Sequence, residues 1–139
     1  MSLNPYLNFD GDCRAAFEYY RSVFGGDFVT LMTFGDGPEG MPVAEGDKDK
    51  VMHVSLPIGS SVLMGSDVPS EGPGADHTVG NNVHVSYEPP SRNDADEQFA
   101  RLAEGGTITM PLGDQFWGAY FGSCTDRFGV NWMFNLSNS

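Results

Sequence analysis

The sequence predicts an α+β domain made of two similar halves, each a strand, a helix and three further strands. Three observations lead there. The apolar spacing switches twice, near residues 12 and 93, from strand-like alternation to three- and four-residue steps. Both helical stretches stop at a glycine pair, in Phe24-Gly25-Gly26 and Glu104-Gly105-Gly106. A chain of 139 residues with 18 glycines and 9 prolines has the length of one domain, residues 1–139, and the punctuation of many short elements.

The first half begins with residues 3–9, where Leu3, Pro5, Leu7 and Phe9 alternate with Asn4, Tyr6 and Asn8. Cys13, Ala16, Phe17, Tyr20, Val23 and Phe24 then share one helical face, with Asp12 available as N-cap. Residues 28–34 read as the next strand. Residues 35–49, rich in Gly, Pro and acids, read as a loop or lid in which Glu39 and Glu45 offer carboxylates. Residues 51–57 and 61–66 form a hairpin through Ile58-Gly59-Ser60, closing a first module of about residues 1–68.

Residues 67–80, with Pro69 and Pro73, read as the joint between halves. The second module, about residues 80–139, repeats the order. It has a strand at 81–87 and a helix at 93–104 with Ala95, Phe99, Leu102 and Ala103 on one side. Strands at 107–110, 116–124 and 129–136 follow.

Charge narrows the partners. Nineteen acids against seven basic residues give a net charge of −12, and no basic patch forms, so nucleic acid is excluded while a cationic ligand is attracted. No signal pattern or membrane-length apolar run is present, which implies a cytoplasmic protein with no membrane partner. Cys13 and Cys124 form no metal or redox spacing and read as free, inert thiols.

Several segments resemble a known family. Asn4-Pro5-Tyr6-Leu7 with Phe9 and Gly11, then Ala16, Tyr20 and Phe24-Gly25-Gly26, are similar to the opening of PhnB-like proteins of the vicinal-oxygen-chelate superfamily, which includes glyoxalases, bleomycin-resistance proteins and dioxygenases. Met52-His53, Trp117-Gly118 and Asp126-Arg127-Phe128-Gly129-Val130-Asn131-Trp132 extend the resemblance over nearly the whole chain. It implies curved sheets with the helices outside, a ligand held in the cup, and a homodimer. Some members of that branch carry a methyltransferase-type name, but no Gly-rich dinucleotide-type loop occurs here.

If the apolar phases pack on the helices, the opposite phase faces the cup. That phase offers Tyr6, Asn8, His53, Ser55, Asn82, His84 and Asn131, with Trp117 as a further lining residue and His77 in an exposed loop. Metal-dependent relatives hold a divalent ion on His and Glu side chains from four strands, and the counterparts implied here are Asn4 or Pro5, His53, Asn82 and Met133. His53 is the one good ligand among them. A divalent metal therefore remains a candidate cofactor for which the family's acidic ligands are not found.

Two functions stay open. One is a small-molecule-binding protein of the bleomycin-resistance kind. The other is a metal-dependent lyase, isomerase or dioxygenase acting on vicinal oxygens. A phosphonate or fosfomycin role ranks below both, because the assigned inner faces carry no Lys or Arg.

Overall fold

The computed structural model describes residues 1–40 and 42–137. The two changes of period become two β-α-β-β-β units. In chain order these are β1 (Tyr6–Phe9), α1 (Cys13–Phe24), β2 (Thr30–Thr33), β3 (Val51–Ile58) and β4 (Ser61–Asp67). The second set is β5 (Val85–Tyr87), α2 (Arg92–Ala103), β6 (Thr107–Asp114), β7 (Ala119–Thr125) and β8 (Asn131–Ser137). The chain divides into two compact units, Met1–Thr78 and Val79–Ser139, with the boundary inside the loop read as the joint. Each unit carries one four-stranded mixed sheet and one long helix.

In the first unit the strand order is β1-β4-β3-β2, with β1 parallel to β4 and the other pairs antiparallel. The apolar face of α1, buried through Cys13, Ala16, Phe17, Tyr20 and Val23, lies on β3 and β4. Phe17 meets Phe9 and Tyr20 edge to face, at 6.2 and 5.5 Å between centroids. That close approach requires glycine at position 65, where a Cβ would stand 2.6 Å from the Phe17 ring.

The start of α1 differs from the sequence expectation. Asp12 occupies the N-cap position but makes no side-chain capping bond. The carboxylate of Asp67, at the end of β4 and only 3% exposed, accepts from the backbone N–H groups of Gly11 at 2.9 Å and Cys13 at 3.0 Å instead. Its second oxygen accepts from Val51 N–H at 2.9 Å. A buried carboxylate needs several donors, and the unpaired amides around the helix start and the first residue of β3 supply them.

A bulge also departs from simple alternation. Met32 pairs with His53 but Thr33 pairs with Val51, so Met52 is an extra residue on β3. Val51 and Val54, three apart, both reach the core for this reason. The long loop after β2 is pinned at its base by Phe34 N–H to Lys50 O and Gly35 N–H to Lys48 O. Asp47, within it, accepts from the backbone and hydroxyl of Ser70 and pairs with Lys50.

In the second unit the order is β5-β8-β7-β6, again with one parallel pair, β5 with β8. Ser91 caps α2, accepting from Asp94 N–H at 3.1 Å, and Ala95, Phe99, Leu102 and Ala103 form its buried face against β6, β7 and β8. Phe134 sits between Tyr87 and Phe99, at 5.1 and 5.3 Å between centroids, so Trp132 and Phe134 belong to the core as their phase predicts.

Three boundaries in this unit are corrected. The strand expected at 81–87 pairs only through Val85–Tyr87. The strand expected at 107–110 continues to Asp114 through two register shifts; β6 is an edge strand, where Pro111 costs no ladder bond. The strand expected at 116–124 begins at Ala119, because Gln115–Gly118 forms a turn closed by Gln115 N–H to Ala119 O and by Gly118 at φ 90°. Among the described residues no helix is long and apolar enough to cross a membrane.

Candidate functional site

The face of the first sheet turned away from α1 carries four of the eight assigned residues. On β1, Phe9 is buried while Tyr6 is 44% exposed, and the ladder carries that phase across the sheet. Tyr6 pairs with Met64, Asn8 with Ser66, Ser55 with both Met64 and Thr30, and His53 with Met32. Paired residues share a face, so the four residues assigned to this module, Tyr6, Asn8, His53 and Ser55, stand on one surface.

Tyr6 and His53 are tied together. The Tyr6 hydroxyl lies 3.2 Å from His53 Nδ1, and the rings stack at 5.7 Å with 27° between planes. The bond commits Nδ1: with Tyr6 donating, Nε2 carries the proton, and with Nδ1–H donating to the Tyr6 oxygen, Nε2 carries a lone pair. Ser55 is nearly buried beside them, and Asn8 is exposed. Asn4 is used otherwise: its side-chain oxygen accepts from Val62 N–H at 3.1 Å, anchoring the start of β4.

The second unit distributes its assigned residues differently. Asn82 and His84 precede β5 and are exposed, so strand alternation does not orient them. Asn131 opens β8, and its amide donates to the carbonyls of Gly80 and Val83 while its oxygen accepts from Thr125. Those bonds brace residues 80–83 in place of a ladder, which explains the short β5. Trp117 lies in the β6–β7 turn, 51% exposed, edge-on to Phe116 and to Phe121. His77, read as exposed, is half-buried.

The donor set on the Tyr6–His53 face does not fit a divalent ion held by His and Glu. His53 is bordered by Tyr6, Met32, Ser55 and Met64, with no carboxylate among them. Among the described residues no three His, Cys, Asp or Glu side chains are grouped to hold a metal ion. Glu45 of the long loop pairs with Lys48 at the surface, and Glu39 is exposed.

Neither thiol is nucleophilic. Burial, reinforced by Asp126, pushes Cys124 up to about 12, and burial with Asp67 raises Cys13 further. Tyr120 is raised chiefly by its bond to the Asp96 carboxylate, and Tyr87 by burial.

Sequence reasoning missed two groups. Met32 and Met64 share the His53 face, a fact set by register that no local pattern encodes. The Asp126 carboxylate, 3% exposed, accepts from Phe128 and Val130 N–H and from the Trp132 indole N–H at 2.8, 3.0 and 2.9 Å. The Asp126-Arg127-Phe128-Gly129 segment is thus a turn that locks the core tryptophan, and its spacing was the available signal.

Residues 2–134 match the Glyoxalase/Bleomycin resistance protein/Dioxygenase superfamily. The chain is 30% identical over 144 residues to Protein YjdN of Escherichia coli strain K12, covering 98% of this chain and 95% of that protein. It is similar to the crystal structure of protein PA1353 from Pseudomonas aeruginosa, at 43% identity and TM-score 0.86, over 99% of this chain and 98% of that one. A PhnB protein from Bacillus cereus shares the fold at 23% identity and TM-score 0.77, over 99% of this chain and 100% of that one.

Proposed function

The chain belongs to the Glyoxalase/Bleomycin resistance protein/Dioxygenase superfamily, and from that premise we propose that it binds a small organic cation against the Tyr6–His53 face, in the bleomycin-resistance manner. The observation that carries this reading is the pair itself. A half-exposed tyrosine, stacked on a histidine whose Nδ1 it engages, offers a flat ring and one free imidazole nitrogen on an otherwise uncharged surface.

The tyrosine ring accepts a planar or cationic group on its open face, Nε2 of His53 forms one directed hydrogen bond, and Asn8 supplies further polar contacts at the margin. The net charge of −12 draws cations to the surface and repels anionic substrates. Tyr6, Met32, Ser55 and Met64, the residues beside His53, do not form a ligand set for a divalent metal. The cytoplasm, where Cys13 and Cys124 stay reduced, is the compartment we assign. A homodimer completes the proposal, with exposed Ile108 and Phe116 available to a second copy.

Fluorescence titration with bleomycin and with a planar aromatic cation, in EDTA, tests it. Saturable one-to-one binding, weakened at least tenfold by Tyr6→Ala and by His53→Ala, is the expected result. Binding that needs an added divalent metal, or that ignores both substitutions, overturns it.

A further inference from the structure

We propose that Met32, His53 and Met64 form a site for a soft monovalent cation, Cu(I) or its analogue Ag(I), on the face of the first sheet turned away from α1. The placement comes from the ladder. Met32 is the direct cross-strand partner of His53, and Met64 is the partner of Ser55, two residues along β3 from His53. Direct partners in a sheet have Cβ atoms about 4.5–5.5 Å apart and diagonal ones about 7–8 Å, within reach of long side chains. Two flexible thioethers therefore flank one imidazole on a single surface.

Chemistry selects the ion. Thioether sulfur and imidazole nitrogen are neutral, polarisable donors that suit Cu(I), whereas hard or borderline divalent ions favour carboxylates, and none is among Tyr6, Met32, Ser55 and Met64 beside His53. In the tautomer that ligates, His53 Nδ1–H donates to the Tyr6 hydroxyl oxygen and Nε2 carries the free lone pair, the second-sphere arrangement that orients metal-binding histidines. Met32 is 36% exposed, which gives the ion an entry path from water. The strongly acidic chain raises the local concentration of any cation. This site does not depend on the organic-ligand reading.

Silver nitrate titration of protein carrying ¹³C-methyl methionine tests the assignment, with the other five of its seven methionines as internal controls. The expected result is that the Met32 and Met64 methyl signals shift together and saturate at one equivalent. Affinity should fall at least tenfold in the volume-conserving Met32→Leu/Met64→Leu double variant and in His53→Ala, while Zn(II) moves neither signal. Silver captured by Cys13 or Cys124, leaving the two methyl signals unmoved, overturns the proposal. Shifts spread evenly over all methionines, or wild-type affinity in the double variant, do the same. The leucine variant keeps the test decisive should His53→Ala fail to fold.

Discussion

Replacing Asp67 by Asn changes one atom of a buried hub and should be among the most damaging isosteric substitutions in the chain. The native carboxylate accepts three backbone N–H bonds: Gly11 and Cys13 on Oδ1, Val51 on Oδ2. An asparagine can present its carbonyl oxygen to Gly11 and Cys13, but its amide nitrogen then points at the Val51 N–H, donor against donor. Leaving one buried donor unsatisfied costs about 1–3 kcal/mol. The two retained bonds lose their charge assistance, which removes about 0.5–1 kcal/mol from each.

The sum for Asp67→Asn is about 2–5 kcal/mol, a large part of the roughly 5–15 kcal/mol that stabilises an ordinary domain. Amide hydrogen exchange reads the effect where it arises, because Val51, Gly11 and Cys13 report on their own bonds. Val51 exchange should accelerate at least about tenfold, equivalent to about 1.4 kcal/mol, with a lower urea midpoint alongside. An Asp67→Asn protein with unchanged urea midpoint and unchanged Val51 protection refutes the account of Asp67 as the tie between β4, β3 and the start of α1.

Two other perturbations follow from the same geometry. In Gly65→Ala the new Cβ would lie 2.6 Å from the fully buried Phe17 ring, so overpacking should destabilise the first unit by about 1–3 kcal/mol in urea unfolding, whereas Gly113→Ala, whose Cβ meets open space, should lie within about 0.5 kcal/mol of wild type. The Ser70 backbone N–H, followed by the Ser70 hydroxyl and Lys50, holds the Asp47 carboxyl below its ordinary 3.8 against the opposing effect of burial. A carboxylate depressed in the folded state adds stability above its unfolded value and loses it as pH falls through the folded one. Ser70 amide protection should therefore be flat from neutral pH down to about 4 and drop below that in native protein, while Asp47→Asn should start lower and show no such drop.

The element order was legible because hydrophobic period is a local property: a helix brings residues three and four apart to one face, a strand brings alternate ones, and the pattern changes visibly at Asp12 and again near Asn93. The same alternation set Tyr6, Asn8, His53 and Ser55 on one face, since each lies inside a paired strand. It does not reach Asn82 and His84, which precede the ladder where Asn131 side-chain bonds take its place, or Trp117, which lies in a turn before the strand.

The sequence by itself determined the two β-α-β-β-β units, the glycine-pair stops, the core roles of Trp132 and Phe134, and the net charge of −12. Only the tertiary structure decided which residues meet across strands. Register joins positions far apart in the chain: it brings Met32 opposite His53, Tyr6 onto His53 Nδ1 across 47 residues, and Asp67 to the start of a helix 54 residues earlier. No local pattern encodes those partners, because each bond is chosen by whichever donor the folded sheet leaves nearest to a buried acceptor.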